Sequence, residues 1–189
     1  MPLGPIDVFA RVAQALEAIG AVYVVGGSLA SSVHGLPRAT NDIDIVADLS
    51  EQHIDALAGA LREQFYIAPD VARQAVREGG SFNIIHYESA IKADIFVAGD
   101  DAFRHAQIRR REACREAGES MFVLTPEDTI LAKLRWYRDG GEVSQRQWQD
   151  VVDVVQVQAD RLDAEYLRQT AGTLGVADLL HTAMARCPQ

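Results

Sequence analysis

Ile6, Phe9, Val12, Ala13, Leu16 and Ile19 recur at three- and four-residue steps. That period lines one face of a helix, and Gly20 ends it. Val22–Val25 is a short unbroken apolar run, which predicts a buried strand, and Gly26-Gly27-Ser28 breaks it. The small residues from Ser28 to His34 predict a short helix, and Gly35-Leu36-Pro37 a turn. At Asp42 the period changes to two. Asp42 and Asp44 alternate with Ile43 and Ile45, so a strand with one acidic and one apolar face is expected. Ser50 is a helix N-cap, with the helix expected to reach about Phe65. Pro69 opens a shorter helix that Gly79-Gly80 closes.

Ser81–His86 and Ile91–Val97 predict two further strands joined at Glu88-Ser89. On the second, Lys92, Asp94 and Phe96 share one face, while Ile91, Ala93, Ile95 and Val97 take the other. The arginine-rich segment 104–115 is expected to be helical, and Met121–Leu124 a short strand. Alternation then stops. Thr125-Pro126-Glu127-Asp128 carries the marks of a helix start, and that helix runs to about Arg138 before Gly140-Gly141. Ser144 with Gln147 opens another, to about Ala159. Two more fit Ala164–Leu174 and Val176–Cys187. The expected layout is a mixed core over residues 1–125 followed by a helical region over 126–189.

Composition narrows the class. The chain has 189 residues, 48% apolar and 24% charged, which suits a globular fold that buries its own core. Two cysteines cannot build a disulfide framework or a zinc ribbon, so a reducing, cytoplasmic setting is expected. No basic leader precedes an apolar stretch, and none is long enough to span a bilayer, so no membrane role is expected. A net charge of −9 excludes a general nucleic-acid coat protein. The exception is the segment holding Arg104, Arg109, Arg110, Arg111 and Arg115, which could grip a polyanionic acceptor or be a solvated face. Lys92 and Lys133 are the only lysines, so each merits inspection.

Chemistry concentrates in three places. Asp42 and Asp44, two apart on a strand, share a face; adjacent carboxylates repel unless a cation lies between them. A hard divalent ion such as Mg²⁺ fits oxygen ligands of this kind. If the strand carrying Asp94 lies next to theirs, three carboxylates converge, enough for two Mg²⁺ ions in phosphoryl transfer. Gly26, Gly27 and Ser28 lie between a strand and a helix start, where backbone N–H groups can approach a phosphate.

Val25-Gly26-Gly27-Ser28, thirteen further residues, then Asp42-Ile43-Asp44-Ile45 and a later Asp94 resemble the nucleotidyltransferase superfamily of the DNA polymerase beta type. The resemblance implies an α+β fold, with a mixed β-sheet core flanked by helices and followed by a C-terminal helical bundle. It implies transfer of a nucleoside monophosphate from a nucleoside triphosphate to a hydroxyl. Asp42, Asp44 and Asp94 would hold Mg²⁺, with Asp94 also activating the acceptor. Gly27 and Ser28 would hold the triphosphate.

Within that superfamily the tail looks like the abortive-infection nucleotidyltransferases of the AbiEii type. They carry a Lys on one tail helix and an Arg-x-Lys-Asp-x-x-Asp-like run on the next. Here these are Lys133 and Arg146 to Asp153, with Asp150 and Asp153 kept. Gln149 stands where that run has Lys, and Arg146 lies one residue further from Asp150. The last thirty residues carry no motif. The acceptor this implies is tRNA, with a cognate antitoxin as partner. A small-molecule acceptor of the aminoglycoside kind and a non-catalytic nucleotide-binding interaction protein are the alternatives. Lys133 suits a phosphate or base contact. Asp150 could pair with Lys133 or Arg146, either as part of the site or as an ordinary interhelical ion pair. Arg38 and Thr40 stand just before the acid pair, within reach of a triphosphate. Trp136, Tyr137 and Trp148 could stack on a base or pack between helices.

Overall fold

The computed structural model describes residues 4–116 and 118–186. In chain order the elements are α1 (Pro5–Ala18), β1 (Val22–Val25), α2 (Gly27–His34), β2 (Asp42–Asp48), α3 (Glu51–Leu61), β3 (Phe65–Tyr66), α4 (Pro69–Glu78), β4 (Ser81–His86), β5 (Lys92–Val97), α5 (Ala102–Arg110), β6 (Glu112–Glu116), β7 (Glu119–Val123), α6 (Pro126–Asp139), α7 (Gln145–Gln158), a 3₁₀ turn (Ala159–Arg161), α8 (Ala164–Leu174) and α9 (Ala177–Ala185). Among the described residues, no helix is long and apolar enough to cross a membrane.

The chain divides into two compact units. One holds residues 1–26 and 40–123, the other 27–39 and 124–189. By packing, therefore, residues 27–39 group with the helical tail, although they lie inside the expected 1–125 core.

The first unit is built on a seven-stranded mixed sheet in the order β3-β4-β5-β2-β1-β7-β6. β2 lies in its middle, antiparallel to β1 and parallel to β5. β4 is antiparallel to β5, and β7 runs parallel to β1. The alternation anticipated for β2 appears as burial: Ile43 and Ile45 are fully buried, whereas Asp42 is exposed and Asp44 half-buried. β5 repeats it, with Ala93, Ile95 and Val97 buried. The apolar stripe of α1, Val8, Phe9, Val12, Ala13 and Leu16, is buried within this unit.

Two expectations are corrected here. The helix after Ser50 stops at Leu61, and Phe65–Tyr66 forms a two-residue edge strand against β4. The arginine-rich segment is only half helical. Asp101 caps α5, its carboxylate accepting from Phe103 and Arg104 N–H at 2.9 and 3.2 Å. After Arg111 the chain becomes strand β6, paired antiparallel with β7. A run of arginines carries no period, so the change of state leaves no local signal.

The second unit is helical. α2 packs on α6 and α7, α6 on α7 and α8, and α9 on α7 and α8. Thr125 Oγ1 accepts from Asp128 N–H at 3.1 Å, and Ser144 Oγ from Gln147 N–H at 3.3 Å, as their sequence signatures required. Ile130, Leu131, Leu134, Val151, Val154 and Leu167 are fully or nearly fully buried. Cys187, where the last helix was expected to end, lies outside the described residues.

Candidate active site

In the first unit, the register of the sheet draws the acids together. Asp44 lies directly opposite Asp94, and Asp42 directly opposite Lys92. Paired residues on neighbouring strands point to the same face, so three carboxylates and one ammonium share a patch two strands wide. Asn83 on β4 extends the row beside Asp94. Lys92 Nζ is 2.8 Å from Asp94 Oδ2. The Lys92 ammonium is held above the usual lysine range, first by its hydrogen bond to Asp94 and then by the charges of Asp94, Asp42 and Asp44. One cation thus senses all three acids.

Gly26 ends the same unit. Its N–H donates to Asp44 O at 2.9 Å, extending the β1–β2 ladder by one bond. That amide is therefore committed to the sheet and not to a phosphate. Thr40 is likewise engaged locally: its hydroxyl is 3.2 Å from Asp42 O and 3.3 Å from Asp42 N, which steadies the start of β2.

In the second unit, Gly27 begins α2 with φ of 55°, a left-handed conformation that glycine adopts without strain. The amides of the first helical turn have no intrahelical acceptor, and the helix N-terminus favours negative charge. Ser28 Oγ accepts from Arg38 Nη2 at 2.5 Å. The Arg38 guanidinium also grips Asp150 with two prongs, Nε to Oδ1 and Nη2 to Oδ2, both 2.8 Å. Lys133 Nζ reaches the same Oδ2 at 2.7 Å. The four residues form one chain of contacts: Lys133, Asp150, Arg38, Ser28.

Burial alone would raise the Asp150 carboxyl, but hydrogen bonds from Arg38 and Lys133 outweigh it and hold the group below the usual carboxylate range. Arg38 is pushed up in turn, chiefly by its bond to Asp150. The charge of Asp153 adds to that of Asp150 in holding Arg38 up. Arg38 Nη1 is buried and has no hydrogen-bond partner among the described residues. An anion with several acceptor oxygens would satisfy it. Lys133 itself is buried with its ammonium on Asp150, so its place is behind Arg38.

The remaining candidates fall elsewhere. Arg104 Nη1 donates to Gly79 O and Val97 O at 2.8 and 2.6 Å, with the guanidinium over Phe96. Arg111 donates to Ile108 O and covers the Phe122 ring. Two of the five arginines thus act inside the fold, while Arg109 and Arg115 are exposed. Tyr137 and Trp148 pack ring to ring at 5.4 Å, and Arg186 lies over Trp148, the packing alternative rather than a free stacking platform. Sequence reasoning missed the Arg38–Asp150 pairing, because 112 residues separate the partners. For Lys92 the scarcity of lysine was the available signal.

The donor set suits a hard divalent cation: carboxylate oxygens on one face, converging across two strands. Among the described residues, no three His, Cys, Asp or Glu side chains are already gathered into a metal-binding group; beside Asp94 it is the Lys92 ammonium that is drawn in.

A family model described as nucleotidyl transferase AbiEii toxin, type IV TA system, matches residues 13–180, so the match runs well into the last thirty residues, where no motif was read. No curated protein matches the chain. Among solved structures, an antigenic nucleotidyltransferase-like protein from Paracoccidioides brasiliensis is similar over 98% of this chain and 95% of its own, at 15% identity and a TM-score of 0.56. The antibiotic-resistance factor ANT(2″)-Ia, in complex with adenylyl-2″-tobramycin, is similar over 90% and 96%, at 12% identity and 0.58. The lincosamide antibiotic adenylyltransferase LnuA covers 83% and 99%, at 14% identity and 0.53. At such identities the likeness is one of fold, an α+β nucleotidyltransferase fold. By the family match, the chain is an enzyme that belongs to the AbiEii nucleotidyl transferase toxin family of type IV toxin–antitoxin systems.

Proposed function

We propose that the enzyme transfers a nucleoside monophosphate from a nucleoside triphosphate to a hydroxyl of an RNA, tRNA first among candidates, in a Mg²⁺-dependent reaction. We further propose that this activity is the toxin of a toxin–antitoxin pair acting in the cytoplasm. The observation that carries the catalytic reading is the register that sets Asp44 against Asp94, with Asp42 two residues along the same face.

Asp42 and Asp44 would hold Mg²⁺, with Asp94 beside them on the neighbouring strand; the ion when bound supplies charge to the phosphoryl oxygens and lowers the pKa of a coordinated hydroxyl. Gly27, Ser28 and Arg38 receive the triphosphate: the first-turn amides of α2, the Ser28 hydroxyl and the orphan Arg38 Nη1 are its donors. Asp150 and Lys133 fix the guanidinium plane and act through Arg38. The acceptor O–H gives its proton to Asp94. Its oxygen forms a bond to the α-phosphorus as the bond to the bridging oxygen breaks, and pyrophosphate leaves with that electron pair.

A second reading has its own support. Arg104 and Arg111 are engaged inside the fold, the net charge is −9, and an acidic face suits a polycationic small molecule such as an aminoglycoside. Incubation with each α-labelled triphosphate and Mg²⁺, against total tRNA, protein and aminoglycosides in parallel, separates the two. Label in tRNA is the expected outcome; label in the aminoglycoside alone selects the second reading.

A further inference from the structure

Lys92 stands among the acids. It lies two residues before Asp94 on the same face of β5, directly opposite Asp42, with Nζ 2.8 Å from Asp94 Oδ2. The sheet order places β5 on the side of β2 away from β1, the strand that leads to Gly26. The acids therefore divide: Asp42 and Asp44 lie on the strand next to β1, while Asp94 and its ammonium lie one strand further out. Three carboxylates and one ammonium leave two negative charges, as many as one divalent ion cancels.

We propose that the acid face takes a single divalent cation, at Asp42 and Asp44, and that the Lys92 ammonium on Asp94 serves as the second cation, beside the acceptor oxygen. This rests on reading the acids as the metal face of the nucleotidyltransferase. Asp44 pairs with Asp94, and Asp42 with Lys92, across strands about 4.8 Å apart, so the ammonium stands on the strand next to the residues that would hold the metal. A tethered ammonium competes at an effective concentration on the order of millimolar or higher, while a second Mg²⁺ must also give up tightly held water. As the acceptor O–H passes its proton to Asp94, negative charge grows on the oxygen, and the Nζ–H groups donate to it.

The test counts metal ions. Mn²⁺ is titrated into wild type, Lys92→Met, Lys92→Arg and Asp44→Asn, each saturated with a non-hydrolysable triphosphate, and free Mn²⁺ is read by electron paramagnetic resonance. One ion per chain is expected in wild type and Lys92→Arg, and two in Lys92→Met. Two ions in wild type, or one in Lys92→Met, overturns the proposal. Wild-type Mn²⁺ binding by Asp44→Asn overturns the metal face itself, a separable failure. Turnover of Lys92→Met should fall roughly 10²-fold with triphosphate affinity unchanged, and recover in part at high Mg²⁺; an unchanged kcat also refutes the role. Lys92 is 39% exposed, so a melting temperature near that of wild type is expected and checks the fold.

Discussion

Asp150 is a buried carboxylate shared by two cations, and the cost of losing it follows from what it leaves behind. In Asp150→Asn, Arg38 and the buried Lys133 lose the carboxylate they share, a defect of about 3–5 kcal/mol. The folded carboxyl titrates below its unfolded value of 3.8. As pH falls, the unfolded chain therefore takes up the proton first. The ion pairs' contribution is full above that value and is lost as pH drops through the folded pKa. Urea midpoints of wild type and Asp150→Asn should differ clearly at about pH 6, and the difference should shrink progressively as pH falls below 3.8. A difference that persists undiminished in acid would show that the carboxylate charge is not what matters. Asp44→Asn belongs to the other class. Asp44 is half-buried on the polar face of β2, so folding should survive, whereas transfer should fall by at least about 10³-fold if the residue binds a cation as proposed. Activity within a few-fold of wild type, measured as released pyrophosphate, would remove the acid face from catalysis.

At the scale of elements, the split of the arginine run between α5 and β6 decides which side chains remain for a polyanion. Arg104 and Arg111 are spent on carbonyls and aromatic rings; Arg109 and Arg115 are the exposed pair. Reversing both to Glu should weaken RNA binding and lower the slope of log affinity against log salt by about 1.5–2, with triphosphate affinity unchanged. An unaltered slope in a filter-binding series would free these positions from any acceptor role. Much of this level was readable beforehand. Alternation marked β2 and β5 with the correct inner and outer residues, and Thr125 and Ser144 marked the starts of α6 and α7. What escaped had no local signature: β3 is two residues long, and β6 (Glu112–Glu116) directly follows the three arginines that close α5, with no clear alternation of its own. The pairing of Asp44 with Asp94 was a conditional until the strand order was known, since periodicity gives faces but not neighbours.

For the molecule as a whole, two compact units permit two unfolding transitions rather than one. Gly27, Ser28 and Arg38 all lie in the helical unit. A non-hydrolysable triphosphate at a hundredfold excess over its Kd stabilises the state that binds it by about 2.7 kcal/mol. Calorimetry should then show the transition of the helical unit raised by roughly 10–20 °C, and Arg38→Met should reduce the shift. A triphosphate that moves neither transition would place the phosphate site elsewhere. The family match over residues 13–180 spans both units, so the helical unit is part of the shared architecture and not an appendage.

The chain enters the helical unit early, at Gly27, leaves it at Ala39, and returns only at Leu124. During synthesis this ordering imposes a delay. Ser28 and Arg38 emerge from the ribosome long before Asp150, 112 residues after Arg38, a gap on the order of ten seconds at ordinary elongation rates. Until then nothing orients the guanidinium, and α2 lacks the α6 and α7 surfaces it packs on. A nascent or prematurely ended chain thus carries the acid face proposed for catalysis without the assembled Arg38–Asp150 contact proposed to hold phosphate. For an enzyme proposed to poison the cell that makes it, activity would begin only after Asp150 and the helices around it have been made.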